Sequence, residues 1–482
     1  MASLKHKIGY GFGDMASSMF WKIFSYYLPF FYSDIFGLRL FDAGILVMVT
    51  RIWDAVSDPM MGIMADRTNT RMGKYRPYLL WFCIPFAICG VLLFTTPDFA
   101  YAGKLVWAYI TYLLMMTVYT GINVPYGAML GVMTDSPAEK TVFSSYRMFF
   151  AYGGSFIALA SWEPLCELFS SYMGMTATTS WQMAMCVIAC ACLLLFLLCF
   201  SMTREVVRTK SVVSIGNDFK ALLHNRPWWL LIGAGLCFNL FNTVRGATVA
   251  YFFANVIGAD ANMWLFGISV LFYSGLFLSI GEIANMLGVA ITVPIAARLG
   301  KKPTFIMVNA LLIVLSIGFF FLPLSPTGYL LMLLFQIVIS VLTGIMSPLV
   351  WSMYADVADY SEHRFRTAST GLIFSSSSMA QKFGGAIGGA AVLWLLSACG
   401  YVTGTDAAAA IQPQSAINCL WTLMTFIPAA VAALAVIIVW FYPLTTEEVE
   451  RIAASLKQSR AEASAATQEA EDIAENFDNI NN

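Results

Sequence analysis

Within the run "TRIWDAVSDPMMGIMADRT", residues 50–68, Arg51, Asp54, Ser57 and Asp58 interrupt an otherwise apolar stretch. Asp54 and Asp58 are four residues apart and Ser57 falls three after Asp54, so on a helix the three oxygen-bearing side chains share one face. Two carboxylates this close in a low dielectric do not both stay ionised without a cation. A proton or a sodium ion suits the pair, because hard cations take oxygen ligands and paired carboxylates favour a shared proton. The plainer alternative is an ion pair with Arg51 or another buried arginine that braces the helices. Charges inside apolar spans are costly and as a rule functional, which favours the cation site.

Other polar residues interrupt apolar runs elsewhere: Asp14 in "GFGDMASSMFW", Asn123 in "YTGINVPYG", Arg147 early in the fifth span and Lys382 in "SSSSMAQKFGGAIGG". Asp14 and Arg147 suit an ion pair whose spare hydrogen-bonding capacity meets sugar hydroxyls. Trp21, Tyr119 and Tyr126 offer rings for stacking on a sugar, against the alternative of ordinary packing. Ser378 and Gln381 precede Lys382 and join the candidate substrate set. Lys382 is placed to be the charge partner of the Asp pair, or else a structural brace. Arg245 and Glu282 are assigned no more than a gate pair, and Glu163 is expected to be hydrated at a span end.

These residues need elements to position them, and the composition says which. The chain has 482 residues, 59% hydrophobic and only 11% charged, with a mean hydropathy of +0.72. Those values are outside the soluble globular range and indicate an all-α, polytopic membrane protein. Apolar runs place about twelve spans near 9–36, 42–65, 77–97, 104–133, 143–170, 180–202, 227–256, 264–297, 303–323, 327–354, 369–397 and 417–443. No cleavable leader is read at the N-terminus. Lys and Arg cluster on alternate connections, which puts those connections and both termini in the cytoplasm.

The net charge of −1 suggests no nucleic-acid partner. The ten cysteines fall mostly within spans without metal-ligand spacing. No cofactor, no metal beyond sodium at Asp54 and Asp58, and no required protein partner are expected; the partners are a small sugar, a coupling cation and the bilayer. His6, His224 and His363 lie in cytoplasmic segments and no nucleophile–base pair stands out, which argues against an intramembrane enzyme.

The two halves echo each other. "GIMADRTNTRMGKYRPYLLW" follows the second span and "VPIAARLGKKPTFIMVN" the eighth, each with basic residues around a Gly-Lys turn before a Pro. The expected plan is two six-helix lobes, 1–202 and 227–443, joined by a loop at 203–226 and followed by a partly disordered tail at 444–482. The motifs around Asp66, Arg67 and Arg76, and around Asp356, Asp359 and Arg366, are expected to form a cytoplasmic gate of charge networks.

"YGFGDMAS", "RIWDAVSDPMMG", "ADRTNTRMGKYRPYLLW", "YADVADYSEHRFRTASTG" and "AQKFGGAIGG" together resemble, in order and spacing, the glycoside–pentoside–hexuronide:cation symporter family, a branch of the major facilitator superfamily. The likeness runs from about residue 5 to 445. It implies a two-lobed 6+6 bacterial inner-membrane protein that imports a glycoside, pentoside or hexuronide with sodium or a proton by alternating access. It also implies a cation site at Asp54, Ser57, Asp58 and Thr120 near Lys382, and a sugar site at Asp14, Asn123 and Arg147. Asn123 stands where the family's galactoside site has an Asp, and Gly127 where it has a Trp, so another glycoside, an oligosaccharide or a pentoside fits at least as well. An exporter or exchanger would use the same fold and carboxylates, and a non-transporting receptor would not need the Asp pair.

Overall fold

The computed structural model describes residues 3–134, 137–205, 223–258, 261–265, 268–365, 370–403, 411–456 and 458. Its spanning helices are α1 Leu4–Tyr26, α2 Leu40–Arg67, α3 Arg76–Leu93, α4 Tyr101–Met133, α5 Pro137–Glu167, α6 Ala177–Met202, α7 Arg226–Phe252, α8 Ser274–Leu299, α9 Lys301–Phe319, α10 Pro326–Phe365 and α11 Thr370–Ala398. The twelfth span is α12 Gln414–Met424, broken at Thr425 and resumed as α13 Phe426–Trp440. The protein is thus an all-α membrane protein with the two-lobed 6+6 plan; most of the expected central loop and tail lies outside the described residues.

The expected start of the eighth span at residue 264 is corrected by the structure. Asn262–Leu265 (β1) and Ile268–Leu271 (β2) form an antiparallel hairpin, and α8 begins only at Ser274. The first span also changes character: α1 ends at Tyr26, and Leu28–Phe30 and a π-helical turn over Phe31–Ile35 carry the chain onward behind Pro29.

Nine helices among the described residues pass a joint test of length and hydropathy for crossing a membrane. The spans that fall short are the first, second and fifth, which carry Asp14, Asp54, Asp58 and Arg147. Their polarity is the chemistry they hold. α2 shows how a bilayer accepts this: Ile52, Trp53, Val56, Met60, Ile63 and Met64 are exposed on its outer face, while Arg51, Asp54 and Ser57 are buried inward. Such inside-out burial is what lipid as solvent selects.

Packing is close where small residues meet. A Cβ at Gly288 would fall 2.1 Å from the Val341 carbonyl oxygen, and one at Gly344 2.2 Å from that of Asn285, so α8 and α10 touch backbone to backbone. The lobes meet along α2 with α11 and α5 with α8.

Candidate functional site

Pro59 and Pro125 lie inside α2 and α4. Each lacks an N–H and so leaves the carbonyl four residues back without its helical donor. These loosened turns lie beside Asp58 and Asn123. On α2 the 3.6-residue repeat brings Arg51, Asp54 and Asp58 to the side facing α4 and α11.

There the carboxylates converge on one ammonium. Lys382 of α11 lies 3.1 Å from Asp54 Oδ2 and also bonds Asp58 Oδ2. Thr120 Oγ1 of α4 is 3.1 Å from an oxygen of each carboxylate, so its single hydrogen serves one of them at a time. Ser57 donates to the Asp54 carbonyl at 3.2 Å and can donate to Thr120 Oγ1 at 3.4 Å. Asp54 is essentially inaccessible and Asp58 is 29% exposed. The five residues expected at the cation site are therefore one constellation, built from both lobes. Arg51 is not their partner: its guanidinium stacks 4.4 Å from the Trp21 ring.

The expected sugar residues divide into two groups. Trp21, Ser378 and Gln381 line a cavity of about 220 Å³ together with Arg51 and Lys382. Asn239 and Thr243 of α7 and Gly385 and Gly389 of α11 line it too; the sequence reading did not include them, although polar residues within "FNLFNTVRG" were a readable signal. Nearer the termini, Arg147 Nε donates to Asp14 Oδ2 at 2.9 Å, above a Tyr126 ring 5.5 Å away. Tyr126 donates to the Tyr10 carbonyl at 2.5 Å and stacks on Tyr10 at 4.7 Å. Asn123 Oδ1 accepts from Ser17 at 3.0 Å. Tyr119 packs at 5.1 Å from Trp21. Asp14 and Trp21 are separated by two turns of α1, or about 10 Å.

Two of the expected gate residues, Arg76 and Asp356, are bonded within their own lobes. Arg76 donates from Nη2 to the Phe200 carbonyl at 2.8 Å, and Lys301 bonds Asp356 at 2.7 Å. Glu205 takes the Lys74, Tyr75 and Arg76 N–H groups at 2.7 Å each, which caps α3. Arg67 is exposed, Asp359 lies on α10, and the Asp66 side chain and all of Arg366 lie outside the described residues.

At the opposite end, away from the termini, the lobes are bolted together. Tyr401 donates to Asp34 at 2.9 Å, Ser33 shares a 2.7 Å hydrogen bond with Tyr251, and Tyr27 shares one of 3.0 Å with Ser274. Ser274 also donates to Glu163. Glu163, which also accepts from Tyr27 at 3.1 Å, is thus a half-buried cross-lobe acceptor and not simply a hydrated span end. Arg245 and Glu282 do not pair with each other: Arg245 bonds Gln336 at 2.9 Å and the Met424 carbonyl at 3.0 Å, while Glu282 bonds Lys22 at 2.6 Å.

A family model described as MFS/sugar transport protein matches residues 9–446. The chain belongs to that family. It is 34% identical over 469 residues to the putative glycoside/cation symporter YagG of Escherichia coli K12, covering 95% of this chain and 96% of that one. It is 32% identical to the isoprimeverose transporter of Lactiplantibacillus pentosus, over 96% and 94% of the two chains. Among solved structures, a bacterial homologue of the human drug peptide transporters PepT1 and PepT2 superposes with a TM-score of 0.68 at 12% identity, over 94% of this chain and all of that one; at that identity the match speaks for the fold. The chain is a secondary sugar transporter of the major facilitator superfamily, and its relatives are transporters rather than enzymes.

Proposed function

We propose that this protein is a symporter that moves a glycoside or pentoside inward together with a single small cation, sodium or a proton. One observation carries the reading: two carboxylates of α2 and a hydroxyl of α4 enclose one positive charge, and that charge belongs to a side chain of the other lobe. A coupling cation that takes the carboxylates displaces the Lys382 ammonium, and the displaced ammonium enters the cavity that Trp21, Ser378 and Gln381 line. Cation and sugar affinities are then linked through one side chain.

The same exchange explains the return step. Bare carboxylates in a low dielectric cost several kcal/mol each, so an unloaded carrier needs a stand-in cation. Lys382 is that stand-in. Alternating access follows from the two ends: the bolts at Asp34–Tyr401 and Glu163–Ser274 close the end away from the termini, while the charge networks at the termini end lie within single lobes. With Lys and Arg concentrated on the connections at the termini end, that end is cytoplasmic and the protein sits in a bacterial inner membrane. The sugar group then spans Asp14, Asn123, Tyr126 and Arg147 and the adjoining cavity, and no protein partner is required.

The test is uptake of a glycoside and pentoside panel into proteoliposomes under an imposed sodium gradient at equal pH, then under a pH gradient without sodium. Accumulation that follows one gradient identifies the ion, and equilibration without accumulation under both overturns symport. Loading from the inside measures whether export is favoured instead.

A further inference from the structure

The sugar groups described so far come chiefly from the N-terminal lobe, yet a ligand that governs rocking must touch both lobes. Lys22 and Glu282 are a charged pair that does so outside the cation site. Lys22 of α1 donates to Glu282 Oε1 of α8 at 2.6 Å, and also lies 3.4 Å from the Tyr26 hydroxyl. Along α1 Lys22 follows Trp21 and precedes Ser25, both of which line the cavity; Lys22 adjoins that lining in sequence, neither it nor Glu282 belongs to it, and the Lys22 side chain keeps 23% of its surface exposed. Glu282 is 3% exposed, and its second carboxylate oxygen, Oε2, is buried with no hydrogen-bond partner. A buried carboxylate oxygen left unbonded costs free energy and needs a reason.

We propose that Lys22 and Glu282 form a cross-lobe recognition site for a vicinal diol of a neutral sugar, one hydroxyl accepting from the Lys22 ammonium and its neighbour donating to Glu282. This rests on the transport reading above and narrows its substrate class. A neutral diol can enter between the two groups without stripping either of its counter-charge. A carboxylate-bearing sugar would draw Lys22 away and leave Glu282 uncompensated in the membrane, a penalty that buried pairs broken on one side generally pay. The site therefore selects glycosides and pentosides and rejects hexuronides. Because the two groups sit on opposite lobes, a bound diol also reports occupancy to both.

The experiment uses the full chain, purified and reconstituted, with methyl β-D-xyloside and methyl β-D-glucuronide as probes. Binding is measured by calorimetry in detergent, and uptake in proteoliposomes. For the wild type, the xyloside binds and the glucuronide does not compete. Glu282→Gln weakens xyloside binding about tenfold or more and becomes insensitive to removal of one particular hydroxyl from the xyloside, a deletion that weakens the wild type. Lys22→Gln weakens binding similarly and loses sensitivity to the adjacent hydroxyl. The neutral double variant Lys22→Gln/Glu282→Gln, which keeps the side-chain volumes, guards against a simple folding defect.

Unchanged xyloside affinity in the double variant, with only the transport rate altered, would make the pair a mechanical latch and overturn the proposal. Tight glucuronide binding by the wild type would overturn it as well. Xyloside binding that shows the expected hydroxyl pattern but no gradient-driven uptake would sustain this site while removing the symport reading. Absence of binding by any neutral glycoside would overturn both.

Discussion

Lys382 Nζ lies 3.1 Å from Asp54 Oδ2 and also bonds Asp58, although Lys382 belongs to the other lobe and lies 324 positions along the sequence from Asp58. The ion pair is therefore a joint between lobes as well as a neutralised charge. A cation that competes for Asp54 and Asp58 must loosen that joint.

Asp58→Asn is expected to abolish gradient-driven accumulation while leaving sugar exchange across the membrane. Asp58 is the more accessible carboxylate of the pair, and its amide would keep one hydrogen bond to Thr120 but offer no charge to a cation. Uptake against a gradient and counterflow of labelled sugar, measured in the same vesicles, check this. Full accumulation by the variant would refute the coupling scheme.

Arg147→Gln is expected to raise the sugar concentration for half-maximal binding by about tenfold or more, since a charge-assisted hydrogen bond is worth about 1.5–3 kcal/mol. It also leaves Asp14, only 13% exposed, without its 2.9 Å partner. The double variant Arg147→Gln/Asp14→Asn removes both charges. If the single variant's loss were only that of an orphaned carboxylate, the double variant would recover affinity; continued loss marks direct recognition.

Much of this was legible in the sequence because charge in an apolar run is conspicuous. Asp54, Asp58, Arg147 and Lys382 each declared themselves in that way, and helical spacing put the first two on one face. Pairing across the lobes was less legible. Lys22 and Glu282 lie 260 residues apart, and nothing local to either predicts the other. Glu163 read as a hydrated span end because its partner Ser274 comes from the other lobe, 111 positions away in sequence. The hairpin at 262–271 was hidden for another reason: "NMWLFGISVL" is apolar enough to continue into the eighth span, and two four-residue strands carry too little alternation to stand out.

Gly127→Trp is expected to fold and to narrow the accepted substrates. Gly127 shares a face of α4 with Thr120 and Asn123, at spacings of seven and four, and a Cβ there would meet nothing within 4 Å. An indole would occupy that space on the face of α4 that carries Asn123. Competition by glycosides of increasing length should show oligosaccharides losing affinity while a methyl glycoside keeps it. Equal losses at all lengths would indicate general damage instead of steric selection.

Tyr401→Phe is expected to shift the carrier toward the state open at the end away from the termini. The substitution deletes the hydroxyl that donates to Asp34 at 2.9 Å and accepts from Asn255 at 2.9 Å, while retaining the ring that packs against Tyr251. Of the two, only the bond to Asp34 crosses the lobes; such a hydrogen bond is worth about 0.5–1.5 kcal/mol net, so the ratio of the two states should move by about two- to tenfold. Asn239→Cys in a background without other cysteines, labelled by an impermeant thiol reagent from the non-termini side, reads this shift through the cavity that Asn239 lines. Faster labelling in the Tyr401→Phe variant supports the bolt. An unchanged rate, with Glu163→Gln also silent, would mean that the apolar packing of α5 against α8 holds that end closed by itself.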